Sequence, residues 1–478
     1  MNFRKGISTV LSLLIMVFSF VNISLAQSKK YQELQKKNHA YWKKMLEKVN
    51  VQLPDSLPPP AEDPNRPDGT FLKKDSSGWT DSAGNTYARG PWGKWTNYDE
   101  AKASPYTKLP DPLVLDNGKK VTTPEIWWKQ KRPEIKRAFN REIFGEVPEN
   151  IPSVNWKIVS KSDTTIGDIP ALKKEVVGQV DNSSYPKVSV NIELTVVTPA
   201  KVHKPVPAMI HFGFNFPPGF HLPKSFGKWK EQVLRRGWGY VNYIPNSVQP
   251  DNAAGLTQGI IGLVNKGKLR DPDDWGVLRA WAWGASRTLD YLQTDPDVDG
   301  KKVGVEGVSR NGKAALVAMA YDPRFAIVLV GSSGKGGAVL YRRNFGETIG
   351  ILSSSSEYHW FAGNFIKYAG PLDATDLDID SHELIAMCAP RPVFISVGSP
   401  KEEGRWVDDK GQFMAETAAG PAYQLLGKKG LGTQTMPPME TALMDGELAF
   451  RQHSGGHTDA PNWPYFLKFA ERYLEKSE

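Results

Sequence analysis

The sequence predicts an α/β fold, a mostly parallel sheet covered by helices on both faces, behind an irregular N-terminal leader. Three observations carry this. From about residue 124, short apolar strand candidates alternate with helical patterns. Several of those strands are apolar throughout, as strands buried on both faces are. One of them runs through a small-residue turn directly into a helix. The composition agrees: 478 residues, 40% hydrophobic and 23% charged, exclude collagen-like, coiled-coil and wholly disordered chains.

Residues 1–26 are expected to be a secretory signal peptide. Arg4-Lys5 precedes an apolar core over Val10–Phe18, and Ser24-Leu25-Ala26 places small residues at −3 and −1 of a cut before Gln27. The core is shorter than the ~20 residues of a membrane span. No cysteine follows the cut, and no later segment is apolar enough to cross a bilayer. The mature chain is expected to be exported, to the periplasm or beyond, with no membrane association.

Residues 27–109 form the leader. Residues 31–50 predict a polar helix with Tyr31, Leu34, Tyr41, Met45 and Val51 as docking points. Leu53–Asp68 holds six prolines and predicts an extended spacer. Gly69–Leu109 has no clean periodicity. No internal repeat is visible, which excludes solenoids and propellers.

Residues 110–478 are expected to form one catalytic domain. Val188–Val196 alternates apolar and polar, as a half-buried strand does. Val206–Phe212, Gly239–Ile244, Lys302–Glu306, Ala326–Val330 and Pro392–Val397 are further strands. Asp274 is expected to cap a helix whose Trp275, Leu278, Ala282, Ala285, Leu289 and Leu292 share a face. Lys+Arg 60 against Asp+Glu 52 gives +8, spread without a run of like charges, so a nucleic-acid partner is not expected. The lone Cys388 excludes an intrachain disulfide and a multi-cysteine metal site; in an apolar run, it predicts a buried thiol.

The segment Val303–Leu316 carries the chemistry. Ser309 stands at the apex of a strand–turn–helix, the context of a nucleophile elbow in the α/β-hydrolase fold. The turn lifts the hydroxyl above the sheet edge and aims helix N–H groups at the reacting centre. The common Gly-x-Ser-x-Gly pattern is incomplete, because Asn311 holds the second glycine's place. A serine needs a base and the base an orienting acid, in the order Ser, acid, His. Only His453 and His457 follow the last strand candidate. His457, in a glycine-flanked loop, is the expected base, while His453 is expected to end a strand. Neither has metal-site companions, and no metal or cofactor is expected. The acid is expected in the loop Gly398–Asp408. Asp408 precedes a helical run and suits an N-cap. Glu402 and Glu403 lie nearer the strand end. Glu403 is favoured, with Asp408 and Glu402 open.

The run Gly307-Val308-Ser309-Arg310-Asn311-Gly312-Lys313 resembles the signature of the glucuronoyl esterases, carbohydrate esterase family fifteen, of bacterial type. Further matches are Arg342–Glu347, Tyr358–Phe365, Ala389–Pro392, Trp406–Asp408 and Gly455–His457, collinear over about residues 200–475. The resemblance implies a cofactor-free serine esterase with an α/β-hydrolase fold. Its substrate would be the ester joining glucuronic acid of glucuronoxylan, with or without 4-O-methylation, to lignin alcohols. It implies Ser309 as nucleophile and His457 as base. Arg310 would complete the oxyanion hole with its backbone N–H and guanidinium, and Lys313, Glu347 and Trp406 would hold the sugar ring. His359 and Trp360 are expected to shape the site wall, and a monomer is expected.

Where fungal relatives carry the acid, this chain has Gly331–Gly337 without a carboxylate. Where bacterial relatives often carry it, two residues before the tryptophan, it has Gly404. Glu403, one residue further back, is expected to replace it. The same residues would also serve an acetyl xylan esterase, or a carbohydrate-binding protein that has lost catalysis. The pairing of Arg310 and Lys313 with Trp406 favours an acyl group larger than acetate.

Overall fold

The computed structural model describes residues 29–67, 73–75, 78–214 and 227–475. The expected signal peptide lies outside them.

The leader lies along the catalytic domain. Its helix Lys29–Lys48 buries Asn38, Trp42, Met45 and Leu46. Of the expected docking points, Met45 and Val51 are buried, whereas Tyr31, Leu34 and Tyr41 are only half-buried. Trp42, not among them, is the main anchor: its indole packs in the core and donates to the Ser353 carbonyl at 2.8 Å. Residues 51–67 contain no helix or strand. They are tied down through Asp63, which accepts from Arg89 at 2.8 Å and from the Trp95 indole at 2.9 Å. The segment expected to be ordered but irregular contains a small antiparallel sheet of β1 (Lys73–Asp75), β2 (Gly78–Thr80) and β3 (Thr86–Tyr87). Strands of two or three residues are too short to show a period.

The main sheet has ten strands: β4 (Val154–Ile166), β5 (Ile169–Val180), β6 (Asn191–Pro199), β7 (Val206–Phe212), β8 (Gly239–Tyr243), β9 (Val298–Val308), β10 (Val328–Gly331), β11 (Val393–Val397), β12 (Ala442–Leu443) and β13 (Leu448–Gln452). Their order is β12-β13-β11-β10-β9-β7-β8-β6-β5-β4. The strands from β13 to β8 run parallel, and those at both ends are antiparallel.

Alternation along these strands splits the core by face. Val328 and Val330 of β10 join one cluster, and Leu329 joins the other; Val393 and Ile395 of β11 flank Phe394 in the same way. Helices Val277–Leu292 and Arg310–Tyr321 supply the first cluster, and helices Lys228–Arg235 and Trp463–Leu474 the second. One capping expectation is corrected. The first of these helices opens at Val277 with Gly276 as its cap. Asp274 instead accepts from the Asp271 N–H and the Asn265 amide, so its carboxylate closes the preceding loop.

The register decides where the loops emerge. Gly331 pairs with Val308 and with Ser396, and Val397 pairs with Gln452. The C-terminal ends of β9, β10, β11 and β13 therefore lie along one edge, where ligands bind in open parallel sheets.

Candidate active site

Ser309 leaves β9 with φ 62° and ψ −131°, a conformation that costs a non-glycine residue about 1–3 kcal/mol. Two bonds hold it there: its N–H donates to the Gly331 carbonyl at 2.8 Å, and its carbonyl accepts the Lys313 N–H at 3.0 Å. Close packing of helix on strand explains the altered glycine pattern. A Cβ at Gly307 would lie 2.4 Å from the Asn311 carbonyl oxygen, and one at Gly312 would lie 2.7 Å from that of Gly331. The second tight approach falls at residue 312. Position 311 is free to carry an asparagine, whose amide donates to the Phe212 carbonyl at 2.8 Å.

The structure brings Glu403 to His457. The imidazole Nδ1 is 2.6 Å from Glu403 Oε1, and Glu403 Oε2 accepts the Gly398 N–H at 2.6 Å. With both oxygens accepting, Nδ1 carries the proton and Nε2 is left free to accept one. Gly398 is the hinge of this meeting: a Cβ there would lie 2.6 Å from Glu403 Oε2 and 2.6 Å from the Gly456 carbonyl. Glu402 is exposed. Asp408 points elsewhere, receiving Arg343 Nε at 3.0 and 2.9 Å and capping the next helix through the Gly411 N–H. His453 follows β13 and meets the Thr458 carbonyl at 2.6 Å, which bends the loop that carries His457.

Arg310 is the first residue of the elbow helix, so its N–H has no intrahelical acceptor. Its guanidinium lies 2.6 Å from Asp251 and 5.2 Å from the centre of the Trp360 ring. Lys313 Nζ donates to the Ser333 carbonyl at 2.7 Å and to Glu347 Oε2 at 2.9 Å. Trp406 sits with its ring centre 5.2 Å from that of His457, and its indole donates to the Glu403 carbonyl at 3.2 Å. The Glu347 N–H in turn donates to the Trp406 carbonyl at 2.9 Å. The seven residues singled out in the sequence thus fall into two linked groups on one sheet edge.

A family model described as fungal glucuronyl esterase matches residues 182–427. A carbohydrate esterase, MZ0003, of an unknown prokaryotic organism is 31% identical over 411 residues, 79% of this chain and 92% of that protein. A 4-O-methyl-glucuronoyl methylesterase of Hypocrea jecorina is 29% identical over 67% of this chain and 62% of its own length. The solved structure of a CE15 glucuronoyl esterase from Teredinibacter turnerae superposes with a TM-score of 0.78 at 39% identity, covering 92% of this chain and 99% of that one. The chain belongs to carbohydrate esterase family 15. This glucuronoyl esterase is a carboxylic ester hydrolase with the family's α/β fold, a mixed and mostly parallel ten-stranded sheet.

Two site residues of this esterase escaped the sequence. Asp251 accepts from Arg310, from the Trp360 indole at 2.6 Å and from His359 Nε2 at 3.1 Å. Burial pushes its carboxyl up, but the His359 and Trp360 hydrogen bonds and the Arg310 charge hold it well below the usual carboxylate range. His359 and Trp360 thus act through Asp251 to orient Arg310. Glu357 lies within electrostatic reach of Lys313, Arg310 and Glu347. Burial, and then the Glu347 charge, push its carboxyl up to about 8. Its Oε2 is buried with no partner among the described residues. A protonated Glu357 can donate a hydrogen bond beside Glu347, which can only accept. Its one sequence signal is its place directly before Tyr358-His359-Trp360-Phe361. Cys388 is buried, and burial pushes its thiol up to about 12.

Proposed function

We propose that this glucuronoyl esterase hydrolyses the ester between (4-O-methyl-)glucuronic acid of glucuronoxylan and lignin alcohols, through an acyl-enzyme on Ser309. One observation carries the reading: the strained Ser309, the His457 oriented by Glu403, and the Lys313–Glu347 pair share one sheet edge. Ser309 Oγ attacks the ester carbonyl while His457 Nε2 takes its proton. Negative charge grows on the carbonyl oxygen and is met by the Arg310 N–H and guanidinium. The intermediate collapses and His457 returns the proton to the departing alcohol. Water then attacks the acyl-enzyme with His457 again as base, freeing the uronic acid and Ser309.

Lys313, Glu347 and Glu357 offer hydrogen-bonding groups of both kinds to ring hydroxyls, and Trp406 offers a flat apolar face beside the base. The name of the Hypocrea jecorina relative, a 4-O-methyl-glucuronoyl methylesterase, supports a uronic acyl group. The apolar N-terminal segment supports export as the route to such a substrate. Hydrolysis of benzyl glucuronate against 4-nitrophenyl acetate tests the proposal, with Ser309→Ala as control. A strong preference for the glucuronate ester, lost in the variant, is expected. Turnover of acetate alone would overturn the ring-binding roles, and turnover that survives Ser309→Ala would overturn the nucleophile.

A further inference from the structure

A buried acid cluster that the mechanism does not use links the two halves of the catalytic machinery. Glu306 stands on β9, three residues before Ser309, and Asp459 stands two residues after His457. They are 1% and 6% exposed, and their carboxyls lie within hydrogen-bonding reach of each other. Oδ2 of Asp459 is buried with no N–H donor among the described residues. Glu306 Oε2 also lies 2.5 Å from His211 Nδ1, because β7 and β9 set those residues side by side.

Among the described residues this cluster has no directly paired cation. From β7 comes His211, which burial lowers to about 4, so its ring is neutral and Nδ1–H donates to Glu306. From helix Lys228–Arg235 comes Lys230, which acts on Glu306 through charge alone. From helix Trp463–Leu474 comes Trp463, stacked at 4.7 Å on Trp229, whose ring centre is 5.0 Å from that of His211. From β10 comes Gly331, where a Cβ would lie 3.3 Å from Cβ of Asp459. Two touching carboxyls in such a place do not both ionise at neutral pH. Burial pushes both up, Glu306 to about 7 and Asp459 well above the usual carboxylate range; the Glu306 charge and the contact with Glu306 add to the rise at Asp459, whereas the same contact lowers Glu306. The proton belongs to Asp459, and Glu306 accepts from both sides.

We propose that Asp459 is a positioning residue for His457: its carboxyl O–H donates to Glu306 and ties the loop bearing the base to the strand bearing the nucleophile. The inference rests on His457 being the base. While the O–H is present, the loop is held by a hydrogen bond between two buried side chains. When alkali removes it, two carboxylates face each other and the loop is pushed from the sheet. A small displacement of the base lowers kcat steeply, whereas sugar binding by Lys313 and Glu347 is left in place, so KM holds.

The test is the pH profile of kcat and KM on benzyl glucuronate for wild type, Asp459→Asn and Asp459→Leu. Asparagine keeps a donor toward Glu306 that does not titrate. Expected is near-normal kcat at neutral pH for Asp459→Asn, with a flat alkaline limb where wild type has lost roughly tenfold. Asp459→Leu is expected to lose kcat at every pH. An alkaline limb in Asp459→Asn that coincides with wild type overturns the proposal, because a merely structural role moves Tm and leaves the profile shape. If Asp459→Asn fails to fold, Glu306→Gln serves: its amide donates to Asp459 and likewise has no shared proton to lose. If both fail, carbon NMR of wild type labelled at aspartate carboxyls decides. A protonated Asp459 at neutral pH supports the proposal and an ionised one overturns it. His457→Ala separates the two readings: full turnover there removes the base itself, whereas a dead His457→Ala with an unaltered Asp459→Asn profile removes only the positioning role.

Discussion

Glu403 has both carboxylate oxygens committed, one to His457 and one to the Gly398 N–H, while Asp408, five residues on, neutralises buried Arg343. Their substitutions should fail differently. Glu403→Ala is expected to lower kcat by roughly a hundredfold or more with Tm little changed, since the imidazole loses its orientation. Asp408→Ala leaves the Nε–H of Arg343, a side chain 1% exposed, without its acceptor while Glu100 still holds the terminal nitrogens, and should lose about 1–3 kcal/mol in a denaturant titration. The opposite pattern would exchange their roles. Ser309 was legible because it directly follows β9, and the meeting of Glu403 with His457 because each lies in the loop that leaves one of two paired strands, β11 and β13, on the same edge. Asp251 and Glu357 were not legible: each lies in a loop, and only tertiary packing brings it to Arg310 or Lys313.

Among elements, the elbow helix and the leader bear most on the site. Gly312→Ala would place a Cβ 2.7 Å from the Gly331 carbonyl, so the helix must move off β10. Reduced labelling of Ser309 by a fluorophosphonate, together with a lower Tm, is the expected outcome. The leader supplies Glu100, which meets Arg343 at 2.8 Å and Lys410 at 2.6 Å, and Tyr98, packed at 5.7 Å on Phe345. Phe345 and Trp406 share that aromatic cluster, so the leader braces the loops that carry Glu347 and Trp406. Trp42→Ala, which empties the leader's main anchor, should cost about 3–5 kcal/mol in a denaturant titration. Loss of residues 29–109 should raise KM for glucuronate esters more than for 4-nitrophenyl acetate. The parallel strands were legible from their apolar runs. β4 was not, because most of its residues are exposed and the alternation of Val154–Ile158 breaks at the bulge before Ser160.

Across the whole molecule, buried acids that no cation pairs directly among the described residues shape the response to pH. Glu306 and Glu357 are raised by burial from 4.5 to about 7 and about 8. A carboxyl raised on folding contributes stability that is full below its ordinary value and is lost as pH rises through the folded value. The wild-type Tm should therefore decline from about pH 4.5 towards 8, and Glu357→Gln should flatten part of that decline. A decline unchanged in the variant would assign the loss to other groups. The thiol of Cys388 is buried and pushed up to about 12, so an aromatic disulfide reagent should label it only after unfolding.

The sheet's two outer strands carry a further consequence. On one side stands β12, only two residues long. On the other stands β4, interrupted by a bulge between Ile158 and Ser160 and carrying Lys157 and Lys161 along its length. Short, bulged and positively charged borders refuse another strand. A second copy of the chain therefore finds a poor template on either flank, and concentrated protein should not fuse edge to edge into ribbons.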